Sequence, residues 1–212
     1  KNTPIVMSAV RLIKASTKAS STFKNIFTIG LTGGICSGKS NITKDLQELG
    51  ASVIDADKLG HLAYAKGSKS LDQIVKTFGS DIVNEENEID RKKLGSIVFT
   101  DKKQMKKLTD IVWPCIEDFA QKEIKELDKK GVKVVVIEAA VLIEANWKHL
   151  VDEIWVVQVP KDVAMSRLMK RNNLNEKEAN DRLSSQLTNE ERIKHANVVI
   201  NSDRKREETK KA

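Results

Sequence analysis

Apolar residues follow two rhythms along this chain. Ile26-Phe27-Thr28-Ile29-Gly30-Leu31, Ala51-Ser52-Val53-Ile54, Val132 to Ala139, Ile154-Trp155-Val156-Val157 and Val198-Val199-Ile200 are short, nearly continuous apolar runs, the pattern of strands covered on both faces. Between them the apolar positions recur every three to four residues, which predicts helices. Ile42, Leu46 and Leu49 mark the first, from Asn41 to Leu49. Residues 58–130 read almost wholly helical, through Leu59, Leu62 and Ala63, then Leu71, Ile74, Val75 and Phe78, then Leu94, Ile97 and Val98, then Ile116, Phe119, Ile124 and Leu127. Gly67, Gly79 and Pro114 punctuate that stretch. Asp162 to Arg171 and Glu176 to Leu187 complete the helical set. Strands alternating with helices predict an α/β protein built on a doubly wound parallel sheet. The helical stretch after the second strand is too long for a plain crossover, so part of it is read as an insertion.

The first strand runs directly into Gly33-Gly34-Ile35-Cys36-Ser37-Gly38-Lys39-Ser40, a complete G-x-x-x-x-G-K-S between a strand and a helix. Backbone N–H groups of such a loop turn inward around phosphates, Lys39 reaches toward the β- and γ-phosphates, and the Ser40 hydroxyl suits Mg²⁺. A glycine turn without a ligand is the plain alternative, and the strand-loop-helix context argues against it. The expected class is therefore a P-loop NTPase fold with ATP and Mg²⁺ as its cofactors. Gly33, Gly34, Ile35, Cys36, Ser37, Gly38, Lys39, Ser40 and, one turn on, Thr43 are the expected nucleotide contacts.

In a doubly wound sheet the ligand crevice lies at the carboxyl ends of the strands. Asp55 and Asp57 follow the second strand, and Glu138 closes the third. A carboxylate there can hold Mg²⁺ or take a proton from an acceptor hydroxyl, and a helix cap is the competing role for Asp55 or Asp57. Glu138 joins Ser40 as a metal candidate and is also read as a substrate contact. Arg167 and Arg171 lie four apart on one predicted helix, Arg182 and Gln186 four apart on the next, and Asn172-Asn173-Leu174-Asn175 joins them. A hinged helix pair carrying arginines, over residues 167–187, suits a lid that neutralises a transferring phosphoryl group, although solvated basic faces are equally ordinary. His61, His149 and His195 form no constellation, and surface or cap roles suit them.

Composition narrows the partners. The 212 residues carry 37 Lys+Arg against 30 Asp+Glu, a net charge of +7. The excess sits at the ends, because residues 1–27 hold five bases without an acid and residues 204–212 hold five bases with two acids. The body is near neutral, so no nucleic-acid stripe is implied. No apolar stretch approaches a membrane span. Cys36 and Cys115 lack the spacing of a disulfide framework or zinc site, which fits a reducing compartment. The basic, Ser-rich segment 1–25 fits a mitochondrial presequence or a linker from an upstream domain equally well. The expected organisation is this leader, a domain over 26–203 with a helical acceptor region at 58–130, and a charged tail at 204–212. Beginning at Lys1 and not Met, the sequence reads as a piece of a longer chain.

Ile29 to Gly34, the phosphate loop, Val53-Ile54-Asp55-Ala56-Asp57, and Arg167-x-x-x-Arg171 followed by Arg182-x-x-x-Gln186 together resemble dephospho-coenzyme A kinase over residues 26–203. The resemblance implies phosphorylation of the ribose 3'-hydroxyl of dephospho-coenzyme A by ATP, in the last step of coenzyme A biosynthesis. It implies that Asp57 is the general base, that Arg167 and Arg171 are the lid arginines, that Arg91 and Arg182 bind substrate, and that Asn201 lies near the adenine of ATP. Trp113-Pro114 replaces the His-Pro of most members, and Ala140-Val141-Leu142-Ile143-Glu144 replaces Pro-Leu-Leu-x-Glu. Both departures resemble the kinase half of the animal bifunctional coenzyme A synthase, which implies an upstream phosphopantetheine adenylyltransferase domain and a cytoplasmic or mitochondrial location. Residues alone leave two alternatives open: another small-molecule or nucleoside monophosphate kinase, and a nucleotide switch suggested by Asp57-Lys58-Leu59-Gly60, against which stands the lack of N-K-x-D.

Overall fold

Each of the apolar runs becomes a strand. The computed structural model describes Phe23 and residues 25–203, so the expected leader lies outside the described residues except for Phe23 and Asn25, and the expected tail lies wholly outside them. The strands are β1 (Phe27–Gly33), β2 (Ser52–Asp55), β3 (Val134–Glu138), β4 (Glu153–Gln158) and β5 (Val198–Asn201). They form one sheet in the order β2-β3-β1-β4-β5. β1 pairs in parallel with β3, Ile29 opposite Val136 and Leu31 opposite Glu138. On its other side β1 pairs in parallel with β4, Gly33 opposite Val157, and β4 with β5, Gln158 opposite Asn201. The chain winds out to one edge, returns across β1 and finishes at the other edge, which is the expected doubly wound parallel sheet. The loop after β1 therefore emerges at the switch point.

Every residue of β1 is buried. Phe27, Ile29 and Leu31 share one face with Val134 and Val136 of β3, and Ile42 of helix α1 (Lys39–Glu48) packs there with Val157. Each such side chain contributes roughly 1.5–3 kcal/mol relative to exposure. The alternate positions Thr28 and Thr32 are buried on the opposite face, and both are satisfied. The Thr28 N–H and hydroxyl donate to Asp152 Oδ2 at 2.8 and 2.9 Å, and the Thr32 hydroxyl donates to the Ala140 carbonyl at 3.3 Å.

Two compact units result. One is built on the sheet and holds the chain to Ile54 and from Ile124 onward; the other is Asp55–Glu123. The second unit carries α2 (Ala56–Ala63), α3 (Lys69–Phe78), α4 (Arg91–Val98) and most of α5 (Lys102–Lys129). Two expectations for it need correction. Residues 79–90 are not helical: a 3₁₀ turn at Ser80–Ile82 leads into a tight turn closed by the Val83–Ile89 bridge. The Asn84 side chain holds that turn by accepting from the N–H groups of Glu86 and Glu88, at 3.1 and 2.8 Å. Pro114, expected to end a helix, lies inside the 28-residue α5. Its flanks Val112, Ile116, Ala120 and Ile124 are buried at helical spacing, and that packing outweighs one lost backbone bond.

After β4 come α6 (Lys161–Asn172), α7 (Glu176–Ser184) and the five-residue α8 (Asn189–Ile193), the last of which the periodicity did not reveal. Asn173 in the left-handed region and the Asn175–Glu178 capping box make the sharp joint between α6 and α7.

Candidate active site

The loop from Gly33 to Ser40 is shaped by where its carbonyls go. Lys39 Nζ donates back to the Gly33 carbonyl at 2.7 Å and the Gly34 carbonyl at 3.2 Å. Arg167 of α6 donates through Nη1 to the Cys36 carbonyl at 3.2 Å and through Nη2 to the Ser202 carbonyl at 2.9 Å. The Ser202 hydroxyl in turn donates to the Ser37 carbonyl. Of the loop's own N–H groups, Ser37 donates to the Gly34 carbonyl at 3.2 Å. Carbonyls tied back by side chains are kept from facing an anion, which a cradle of backbone N–H groups requires. Cys36, the non-glycine residue of the loop at positive φ (58°), makes the inward turn.

Two glycines are required sterically. A Cβ on Gly33 would collide with the Val157 carbonyl of β4, and one on Gly38, at φ +94°, would stand 2.5 Å from Ser202 Oγ. Gly38 begins α1 with no capping side chain, and the first turn of α1 holds no acid. The positive end of that helix is thus left for a ligand, with Ser40 exposed on its first turn.

Register places Glu138. It lies two residues beyond Val136, on the sheet face that α1 covers, and opposite Leu31 at the end of β1. Thr43 of α1 is buried there, and its hydroxyl lies 2.7 Å from Glu138 Oε2 and 3.1 Å from the Lys39 carbonyl. A hydroxyl has one proton, and the carboxylate is the nearer and stronger acceptor. Thr43, an expected nucleotide contact, gives its side-chain proton to the carboxylate at the loop's edge. One glutamate and one serine hydroxyl at a phosphate loop fit Mg²⁺, which takes few protein ligands and completes its shell with phosphate oxygens and water. Among the described residues no group of three or more His, Cys, Asp or Glu could form a protein-only metal cage.

The acidic pair divides its labour. Asp55, expected to contact substrate, is the N-cap of α2: Oδ1 accepts from Lys58 N–H at 3.0 Å, and Oδ2 lies 3.3 Å from Lys58 Nζ. Asp57 is exposed on the first turn of α2. In the same unit, the Arg91 guanidinium lies 5.8 Å from the ring centroid of Tyr64. Burial raises the Tyr64 phenol above its ordinary pKa, and the charge of Arg91 opposes the shift.

Of the paired lid arginines, Arg167 is the one hydrogen-bonded to the loop. Arg171, one turn on, is exposed and donates from Nε to Asn172 Oδ1 at 2.9 Å, and Arg182 is exposed on α7. Asn201 ends β5 and accepts from Gln158 Nε2 at 2.7 Å. A cavity of about 720 Å³ opens beside Gly34 and Ile35, between Pro160 after β4, Leu183 and Gln186 of the lid segment, and Asn201 at the end of β5.

Sequence reasoning missed two loop partners and a buried arginine near them. Ser202 is one. Gln186, noted for its spacing, accepts from Ile35 N–H at 2.9 Å. Arg192 of α8 is only 2% exposed, lies 3.7 Å from Glu144 Oε1, and donates to the Leu187 carbonyl. Burial pushes its guanidinium below the ordinary value, with Glu144 and Glu191 opposing.

A doubly wound parallel sheet that delivers a lysine-bearing phosphate loop from its central strand, with arginine-bearing helices beside it, is a P-loop kinase. The model of the dephospho-CoA kinase family matches residues 27–208. The dephospho-CoA kinase of Geobacter sulfurreducens is 45% identical over 175 residues, covering 82% of this chain and 89% of its own. That of Carboxydothermus hydrogenoformans is 42% identical over 182 residues, covering 86% and 88%. In three dimensions the Thermus thermophilus protein TT1252 superposes with TM-score 0.74 at 27% identity, covering 88% of this chain and 93% of that one. The Campylobacter jejuni dephospho-CoA kinase gives 0.65 at 29% identity, covering 87% and 92%. The chain belongs to the dephospho-CoA kinase family.

Proposed function

We propose that this chain transfers the γ-phosphoryl group of ATP to the ribose 3'-hydroxyl of dephospho-coenzyme A, the last step of coenzyme A biosynthesis. The observation that carries this reading is the family match over residues 27–208 together with a loop whose carbonyls are tied back by Lys39, Arg167 and Ser202. In the transfer, the 3'-oxygen forms a bond to the γ-phosphorus as the bond to the β,γ-bridging oxygen breaks. ADP leaves with that oxygen, and Asp57 takes the hydroxyl proton. Lys39 exchanges the Gly33 and Gly34 carbonyls for the β- and γ-phosphates. Arg167 keeps the loop open, while Arg171 and Arg182 neutralise the moving group. Arg91, steadied over Tyr64, takes the acceptor. The nucleoside part of ATP enters the cavity bounded by Asn201. Ser40 and Glu138 would hold Mg²⁺, which would supply positive charge against the polyphosphate.

ATP consumption measured with and without dephospho-coenzyme A tests the assignment. Turnover is expected only with the acceptor, and equal hydrolysis without it sinks the reading. For Asp57→Asn we expect impaired turnover with ATP binding kept; loss of ATP binding would make Asp57 an organiser of nucleotide and not the base.

We further infer that the chain is the kinase portion of a longer protein of the animal bifunctional type, with a cytoplasmic or mitochondrial location. Trp113-Pro114 and the Ala140 to Glu144 run support this. Phosphopantetheine adenylyltransferase activity should then co-purify on one polypeptide from native material, and a native polypeptide bearing the kinase activity alone would refute it.

A further inference from the structure

Arg192 is a buried charge that the transfer scheme leaves unused. At 2% exposure it has lost nearly all of its water, yet its ion pair with Glu144 is loose. Its nearest approach to Glu144 is 3.7 Å, beyond hydrogen-bond length, and both Arg192 Nε and Glu144 Oε2 lack a hydrogen-bond partner. A buried guanidinium paired this weakly is incompletely neutralised, and its field reaches farther than it would in water. The guanidinium also stands against the phosphate loop: a Cβ placed on Gly34 would lie 3.6 Å from Nη1 and 3.9 Å from Gln186 Oε1. Gln186, six residues earlier, holds the next loop amide, Ile35 N–H. Within this sheet-based unit, the segment between α7 and the end of α8 thus brings a cation and a hydrogen-bond acceptor to the same two loop residues.

We propose that Arg192 is a positioning residue for the nucleoside triphosphate: a second fixed positive charge, behind the Gly34–Ile35 edge of the loop, that favours the polyphosphate and is held in place by Glu144 and the Leu187 carbonyl. The inference rests on the loop's role as the ATP cradle. It differs from a mere anchor for α8 in one respect: an anchor sets stability, whereas a fixed charge sets affinity for phosphate and leaves affinity for the nucleoside alone.

The test uses the full chain, with ATP and adenosine binding measured by calorimetry and Michaelis constants measured for ATP and dephospho-coenzyme A. Arg192→Met keeps length and packing but removes the charge. It should weaken ATP binding tenfold or more, about 1.4 kcal/mol, with adenosine binding and the acceptor constant within twofold of wild type. Arg192→Lys should recover ATP binding to within threefold. Unchanged ATP binding in folded Arg192→Met overturns the proposal, as does equal weakening of ATP and adenosine. Should Arg192→Met fail to fold, Arg192→Gln decides, because it keeps an N–H donor for the Leu187 carbonyl but carries no charge. ATP binding weakened tenfold with adenosine binding kept supports the proposal, and wild-type ATP binding overturns it. Absence of acceptor-dependent turnover in the wild type would instead strike at the kinase reading itself.

Discussion

Lys39 illustrates how a single side chain serves two states. Bonded to the Gly33 and Gly34 carbonyls, it braces the loop, and in the proposed transfer the same reach brings it to a triphosphate. Lys39→Ala should lower the turnover number by on the order of 10² or more, as loss of a preorganised donor does. Thr43 acts one step removed, through Glu138. If Glu138 holds Mg²⁺ as proposed, Thr43→Val should lower turnover about tenfold, the usual cost of losing an outer partner of a metal ligand, with ATP binding kept and Thr43→Ser near wild type. Tyr64 gives a pH signature. Its folded pKa is raised above 10.0 by burial, so its contribution to stability is complete below that value and is lost as pH rises through the folded value. Tyr64→Phe should flatten the alkaline fall in melting temperature above pH 10, and an unchanged fall would remove Tyr64 as its cause. The phosphate loop was legible because its glycines and its lysine are written in one local string between a strand and a helix. Gln186 and Ser202 as loop partners were not, because they reach the loop across the fold: 151 positions separate Gln186 from Ile35, and 165 separate Ser202 from Ser37.

At the scale of elements, capping occupies Asp55, while Asp57 stands exposed on the first turn of α2. Asp55 closes the start of α2, so Asp55→Ala should cost about 1 kcal/mol of stability, read in urea melts, while the turnover of the folded protein stays near wild type. A large loss of turnover without destabilisation would return Asp55 to the substrate contacts. The D-x-D spacing allowed either residue to cap, and only the backbone path at the end of β2 made the choice. α5 shows the reverse case. Pro114 is exposed and leaves the Asp110 carbonyl without its helical donor, so Pro114→Ala should stabilise the protein by about 1–2 kcal/mol, less than the full helix penalty because the unfolded chain also becomes more flexible. The apolar period on either side of Pro114 is continuous, and burial of that stripe carried the helix through. α8 escaped detection for a related reason: five residues are too few for a period, and its helix is held by the Thr188–Glu191 capping box and by Arg192.

For the whole molecule, alternation of strand and helix indicated the parallel sheet, and the order β2-β3-β1-β4-β5 explains why one loop carries the chemistry. β1 is central, and the chain turns to opposite sides of it, so the space beyond its carboxyl end is left open for a ligand. The cradle's identity belongs to the sequence: a strand, eight residues and a helix write its glycines, its lysine and its serine hydroxyl in one contiguous string. What only the tertiary structure decided is which residues hold that cradle in working shape. Parallel register put Glu138 under Thr43, the crossover through α6 brought Arg167 to the Cys36 carbonyl, and the return through α8 buried Arg192 against Gly34. These partners act across long separations in the chain, where side-chain type is written in the sequence but proximity is created only when the sheet closes.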